Sequence, residues 1–345
     1  MKKILFSLLA LFATCIAQAQ TSIMATLTHN GKTTIYYGAD ALVEAAAASA
    51  YGDRITLTSG VFNAPTLTKA VSICGAGMEP DTINHVEPTT LRGVLTLAFE
   101  DSLNTNFSID RVLMPEGMFV GNATVNASYT RCKILGNGFD VDNTYRFTQL
   151  NSNFVHCVLS YVDLTKSSTY TFLNSVLFGL YMSVVDNPRV EMKNCIVLAN
   201  NEVSSWVNVG MENCIYAYTI SNNSDKEFTK TTYALNCLAI SSNSDPFKYS
   251  YNTTNYVFKS LYNSTIPYGS IFKTFSGKIT KDSNFELTEE AKTKYLGTDG
   301  KEIGIFGGYT YKPTSSSLNV RKFKVADKTN AEGKLQVEIV VGTDY

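Results

Sequence analysis

An Asn-Cys pair followed by two apolar residues recurs through the middle of the chain. It stands as Asn194-Cys195-Ile196-Val197, Asn213-Cys214-Ile215-Tyr216 and Asn236-Cys237-Leu238-Ala239. A near copy, Asn174-Ser175-Val176-Leu177, precedes them. Two looser copies come earlier, Arg131-Cys132-Lys133-Ile134 and His156-Cys157-Val158-Leu159. From residue 132 through 157, 175, 195, 214 and 237 the steps are 25, 18, 20, 19 and 23 residues. Units of about 20 strand-rich residues are too small to bury an apolar face alone, so they must stack on one another. The repeat therefore predicts an all-β chain wound as a solenoid of parallel strands.

Within one unit the side-chain period of two assigns directions. In Val190-Glu191-Met192-Lys193-Asn194-Cys195-Ile196-Val197, Val190 and Met192 point inward and Lys193-Asn194 form a bend. Cys195 and Val197 then point inward on the next strand. Asn suits the bend because it tolerates the left-handed region and bonds nearby backbone. Stacked on successive coils, Asn174, Asn194, Asn213 and Asn236 are expected to form an amide ladder, with Arg131 and His156 interrupting it in the earlier coils.

The amino-terminal end reads as an export signal. Met1-Lys2-Lys3 is a charged start, residues 4–16 are apolar, and Ala17-Gln18-Ala19 is a small-x-small cleavage site. The apolar run is short for a bilayer span. Cys15 raises a lipoprotein reading, but Phe12-Ala13-Thr14 is a poor lipobox and a better cleavage site follows. Residues 1–19 are therefore set apart, with an exported product that is periplasmic, outer-surface or secreted. Loss of Lys2 and Lys3 moves the net charge from -1 to about -3, too mild for nucleic acid as a partner. No transmembrane segment is expected, and the product is expected to be a monomer.

Six cysteines follow the leader, and an even number in an exported chain ordinarily suggests disulfides. Five of the six share one place in the repeat, where parallel side chains on adjacent coils point the same way. That is poor disulfide geometry. Ser175 in the same column also favours packing, so free stacked thiols are expected.

Outside the repeat, residues 21–37 alternate around a turn at His29-Asn30-Gly31-Lys32 and predict a hairpin. Residues 39–51 are Ala-rich with an apolar face and predict a helix ended by Gly52. The pattern that follows is Gly52-Asp53-Arg54-Ile55-Thr56-Leu57, then Gly60-Val61-Phe62, then a strand ending Gly75-Ala76-Gly77. This succession resembles the opening of the right-handed parallel β-helix family, the pectin-lyase-like fold. The resemblance implies a helix that covers the open amino-terminal end of the solenoid. Residues 286–295 read as a short helix. Asp299-Gly300-Lys301-Glu302-Ile303-Gly304-Ile305-Phe306-Gly307-Gly308 is similar to the last coil of secreted β-helix proteins common in Bacteroidetes. The expected organisation is a leader over 1–19, the β-helix with its cap over 20–312, and a tail over 313–345. That tail comprises a linker and two strands, 320–325 and 335–341, packed on the solenoid or on a partner, since an isolated hairpin is barely stable.

The resemblance leaves the activity open, because that fold carries lyases, hydrolases, esterases and non-enzymatic binders. Lyases of this type pair a calcium site of carboxylates with an Arg or Lys base. Asp140 and Asp142, with Asp163 about one coil later, are the densest acidic candidates, and Arg131 and Arg146 are the nearest bases. The simpler reading is a polar turn from Gly136 to Asn143 with solvated acids. The Gly-His-Gly and Asp-Asp elements of the hydrolases do not occur, and Gln149 lacks the companions of an esterase set. His29, His85 and His156 are scattered, and no spacing fits a transition-metal site. No cofactor is therefore expected beyond calcium. Trp206, Tyr181, Tyr216 and Tyr218 fall on consecutive coils and suggest an aromatic platform for pyranose rings, against the alternative of internal packing. Three readings follow: a non-catalytic glycan binder, a structural rod that engages a cell-surface protein, and a divergent polysaccharide lyase or hydrolase.

Overall fold

A computed structural model gives the architecture. It describes residues 23–82, 86–100, 105–121, 125–136, 139–141, 151–160, 162–164, 169–182, 188–199, 208–218, 233–241, 255–259, 268–275, 285–308, 319–325 and 337–342. The chain winds as a parallel β-solenoid of about six turns. Its walls are an eleven-stranded, a ten-stranded and a six-stranded sheet. Successive coils add parallel strands to these sheets in register with the coil before. In the eleven-stranded sheet one inward column runs Ile73, Ile109, Tyr129, Phe154, Phe172, Met192, Met211 and Ala234. Tyr129 stacks on Phe154 at 4.6 Å and Phe154 on Phe172 at 4.8 Å, with planes 10° apart. These spacings match the rise between neighbouring strands, so the β repeat itself sets the ring stack.

The bend before each Cys position is the most regular feature. Arg111, Arg131, His156, Asn174, Asn194, Asn213 and Asn236 all have positive φ, between 46° and 60°. Asn tolerates this region better than Arg or His, which explains the residue that dominates the column. The six cysteines among the described residues are free and buried. The column has its own hydrogen-bond pattern. Cys195 and Cys214 donate their thiols to the carbonyls of Lys193 and Glu212, two residues back. The side chain also accepts from the backbone of the preceding coil: Cys157 N–H donates to Ser175 Oγ, Cys195 N–H to Cys214 Sγ, and Cys237 N–H to Asn255 Oδ1. The column is thus a small polar niche, which is why Ser and Asn replace Cys in it.

The amino-terminal hairpin forms as expected, from β1 (Met24–His29) and β2 (Lys32–Tyr37) around Asn30-Gly31, both at positive φ. Strand β1 also pairs antiparallel with β3 (Arg54–Leu57), which joins the hairpin to the parallel sheet. Helix α1 spans Ala41–Ala48 and buries Ala41, Leu42 and Ala45 in the core. It starts two residues later and ends three residues earlier than the sequence suggested. Ser49 closes it by turning extended and donating Oγ to Ala46 O at 2.7 Å. Gly52, at φ 83°, belongs to the turn beyond.

The carboxyl-terminal part departs most from expectation. Residues 299–308 were expected to form the last coil. They add no strand to the sheets, whose last strand among the described residues is Tyr256–Lys259. The chain instead runs back along the bend as a strap. Asn236 Nδ2 donates to Leu296 O at 3.2 Å. Asn213 donates to Thr298 Oγ1 and accepts from Thr298 N. Asn174 Nδ2 donates to the carbonyls of Ile305 and Gly307 at 2.9 and 2.7 Å. The amides were expected to relay to one another along the column, and these bonds leave it for the strap. Gly304, at φ 83°, lies close over Ile215 and Ile196, where a Cβ would press on Ile215.

The same region covers an apolar stripe on the outside of the ten-stranded sheet. Val158, Val176, Ile196, Ile215 and Leu238, each one place after the Cys column, form a second core with Ile271, Phe272, Phe275, Phe285, Leu287 and Ile303. Helix α2 (Glu289–Lys294) contributes Ala291 and is capped by Thr288, whose Oγ1 accepts from Ala291 N. Lys133 precedes the stripe and is buried with its Nζ 3.1 Å from Glu79. Beyond the strap, Asn319–Val325 and Val337–Gly342 pair antiparallel, as a hairpin tail.

Candidate functional site

The carboxylates singled out from the sequence fall mainly on the six-stranded sheet. Asp140 lies in the strand Phe139–Val141 and Asp163 in Val162–Leu164. Phe139 pairs with Val162, so Asp140 and Asp163 occupy one register column on adjacent coils. Tyr181 continues that column opposite Asp163. The side chains of all three lie outside the described residues, as do Asp142, Arg146, Gln149, His85 and Trp206. Arg131 is not brought to this column. It sits at the bend into the ten-stranded sheet and gives Nε and Nη2 to Asp110 at 2.9 and 2.7 Å. Arg111 donates to the same carboxylate and, through Nη2, to Cys74 Sγ at 2.9 Å.

The aromatic platform loses a member. Tyr216 follows Cys214 by two and so points inward, 1% exposed. Its ring belongs to the core and presents no face to a ligand. Tyr218 lies on the same strand, opposite Ala199. His156 holds a bend, and burial, followed by the nearby Arg131 charge, pushes its pKa below the ordinary value.

The outer face of the eleven-stranded sheet carries a different constellation. A cavity of about 230 Å³ opens there, lined by Thr171, Glu191, Lys193, Gly210, Glu212 and Tyr233 with the two inward methionines Met192 and Met211 beneath. The register explains it. Thr171, Glu191, Gly210 and Tyr233 form one outward column over four coils, and Leu173, Lys193, Glu212 and Leu235 form the next. Gly210 is the gap in the first column. A Cβ there would collide with the Glu191 carboxylate, which leans into the space the missing side chain leaves. Tyr233 forms the wall on the next coil, 41% exposed.

The charges in this groove are matched. Arg189 Nη2 lies 3.0 Å from Glu191 Oε1, and Lys193 Nζ lies 3.0 Å from Glu212 Oε1. Thr298 of the strap donates its hydroxyl to Glu212 at 2.8 Å. The groove thus presents carboxylate acceptors, ammonium and guanidinium donors and one ring edge or face, with little net charge. Its volume is below the roughly 300–1,000 Å³ of enclosed small-molecule sites. It suits one unit of a longer chain lying across the face. Among the described residues no group of three His, Cys, Asp or Glu is placed to hold a metal ion.

Sequence reading did not single out this groove. The signal for it was present: the residues one and three places before each bend Asn point outward, and comparing Glu191 and Lys193 with Gly210 and Glu212 shows an acidic, basic and glycine pattern on adjacent coils.

The fold defines the protein as a parallel β-solenoid with a strap along its bend and a groove on one outer sheet face. No family model, no curated protein and no solved structure matches the chain. No helix among the described residues is long and apolar enough to cross a membrane.

Proposed function

We propose that the protein is an exported, non-catalytic β-helix that binds a glycan on the outer face of its eleven-stranded sheet. The observation that carries this reading is the groove over Gly210, flanked by Glu191, Lys193, Glu212 and Tyr233. Sugar hydroxyls both donate and accept, so they need a surface that offers both within one ring's width. Paired carboxylates and cations supply this without a net field. An exposed tyrosine beside them offers a flat apolar face with a polar tip, the combination that binding sites favour. Both carboxylates are already engaged by cations, an arrangement that holds hydroxyls better than it transfers protons. The leader over residues 1–19 would bring the protein to the envelope or beyond, where polysaccharide is the abundant ligand.

Affinity electrophoresis through gels containing single polysaccharides tests the reading. Wild-type protein is expected to be retarded by at least one of them, and Tyr233→Ala to migrate freely in the same gel. Absence of retardation across plant, host and bacterial polysaccharides would refute it.

A further inference from the structure

Five of the seven large apolar side chains that stand exposed among the described residues lie between residues 35 and 61: Ile35, Tyr37, Val43, Tyr51 and Val61. They crowd one end of the solenoid. Strand β2 is the terminal strand of the eleven-stranded sheet there, paired with β1 on one side only. An edge of this kind presents unpaired N–H and C=O groups and is normally guarded by charge, proline or a bulge. Strand β2 reads Lys-Thr-Thr-Ile-Tyr-Tyr, with one charge at its very start and no proline. Ile35 is 46% exposed and Tyr37 64%.

The register decides which groups face outward. The two-residue Asn30-Gly31 turn makes His29 and Lys32 a hydrogen-bonded pair, and Gly38 N–H donates to Ile23 O at the far end. Alternate residues Lys32, Thr34 and Tyr36 therefore bond β1. The free edge belongs to Thr33, Ile35 and Tyr37. These three positions are symmetric about Ile35.

We propose that a second copy of the chain occupies this edge, head to head, with β2 pairing antiparallel to β2 about a twofold axis at Ile35. The symmetry sets Ile35 against Ile35 and Thr33 against Tyr37 of the other copy. Every outward N–H and C=O of the three residues then finds a partner, about six hydrogen bonds in all. The cross-strand pairs are β-branched with β-branched and β-branched with aromatic, both favourable. Charge fits as well: Lys32 meets Gly38 of the second copy, two residues from its Asp40, and no like charges oppose each other. A heterologous partner would have to reproduce this symmetric pattern, whereas a second copy carries it already. The result is a rod of double length, with a groove on each half.

Two variants test the proposal. Light scattering coupled to size exclusion should find a dimer for the wild-type protein and a monomer for Ile35→Lys, with an unchanged circular-dichroism spectrum. Ile35→Cys places a thiol about 5.5 Å, Cα to Cα, from its symmetry mate, within disulfide reach. All six cysteines among the described residues are buried, so mild oxidation should give a covalent dimer through residue 35, and Thr34→Cys should not. A monomeric wild type at every concentration, or a dimer that Ile35→Lys leaves intact, would overturn the proposal. So would equal cross-linking at residues 34 and 35.

Discussion

The cysteines at the foot of the coils do the work of small hydrogen-bonding residues. In Cys214 the thiol donates to Glu212 O and accepts the Cys195 N–H of the coil before. Cys214→Ser keeps both bonds and should cost less than about 1.5 kcal/mol. Cys214→Val fills the volume but leaves the Cys195 N–H buried and unpaired, and should cost about 1–3 kcal/mol. Urea unfolding of the two variants separates these outcomes, and equal losses would show that packing alone matters. The residue before the cysteine is governed by backbone conformation. His156 stands at φ 55° in a column that favours Asn, and its pKa is lowered by burial and then by Arg131. A base whose folded pKa lies below its unfolded value near 6.5 is bound by more protons when unfolded, so stability falls as pH drops below about 6.5. His156→Asn should remove that slope and raise stability by about 1 kcal/mol, read from melting curves between pH 5 and 7. The sequence showed both rules at this scale, the bend Asn and the inward Cys. What it did not show was the niche, because the acceptors of a thiol are carbonyls on another coil.

At the scale of elements, the strap carries the account. Coils, bends and the amino-terminal hairpin were legible because each follows from local alternation and turn residues. Residues 299–308 suggest one more coil only through their likeness to the last coil of secreted β-helix proteins. They form a strap instead because the outward positions Val158, Val176, Ile196, Ile215 and Leu238 are apolar and demand a cover. That demand is spread over five coils and is invisible within any one of them. Gly304, at positive φ and tight against Ile215, is the point where the strap lies closest to the sheet. Gly304→Ala should loosen it by about 1 kcal/mol or more, seen as faster proteolytic cleavage within 296–308 and increased binding of an apolar dye. Unchanged cleavage would mean that the amides of Asn174, Asn213 and Asn236 hold the strap unaided.

At the scale of the whole molecule, structure and recognition occupy different surfaces. The bend is sealed by the strap over the Asn coils. The outer face of the eleven-stranded sheet stays open and carries the groove. The carboxylates and aromatics that the sequence suggests do not gather into one site among the described residues, and the groove is built from residues that keep the repeat. Glu191, Lys193, Gly210 and Glu212 sit in regular outward positions, so their proximity becomes visible only when adjacent coils are laid in register. Tyr216 failed as a platform residue for the same reason, since its parity with Cys214 turns it inward. The most direct measurement is a carbohydrate array probed with three proteins: wild type, the groove variant Tyr233→Ala and the ladder variant Cys214→Ser. The account predicts that wild type and Cys214→Ser bind the same glycan, and that Tyr233→Ala loses at least about tenfold in affinity at unchanged melting temperature. A glycan retained equally by Tyr233→Ala, or no glycan retained by the wild type, would contradict it.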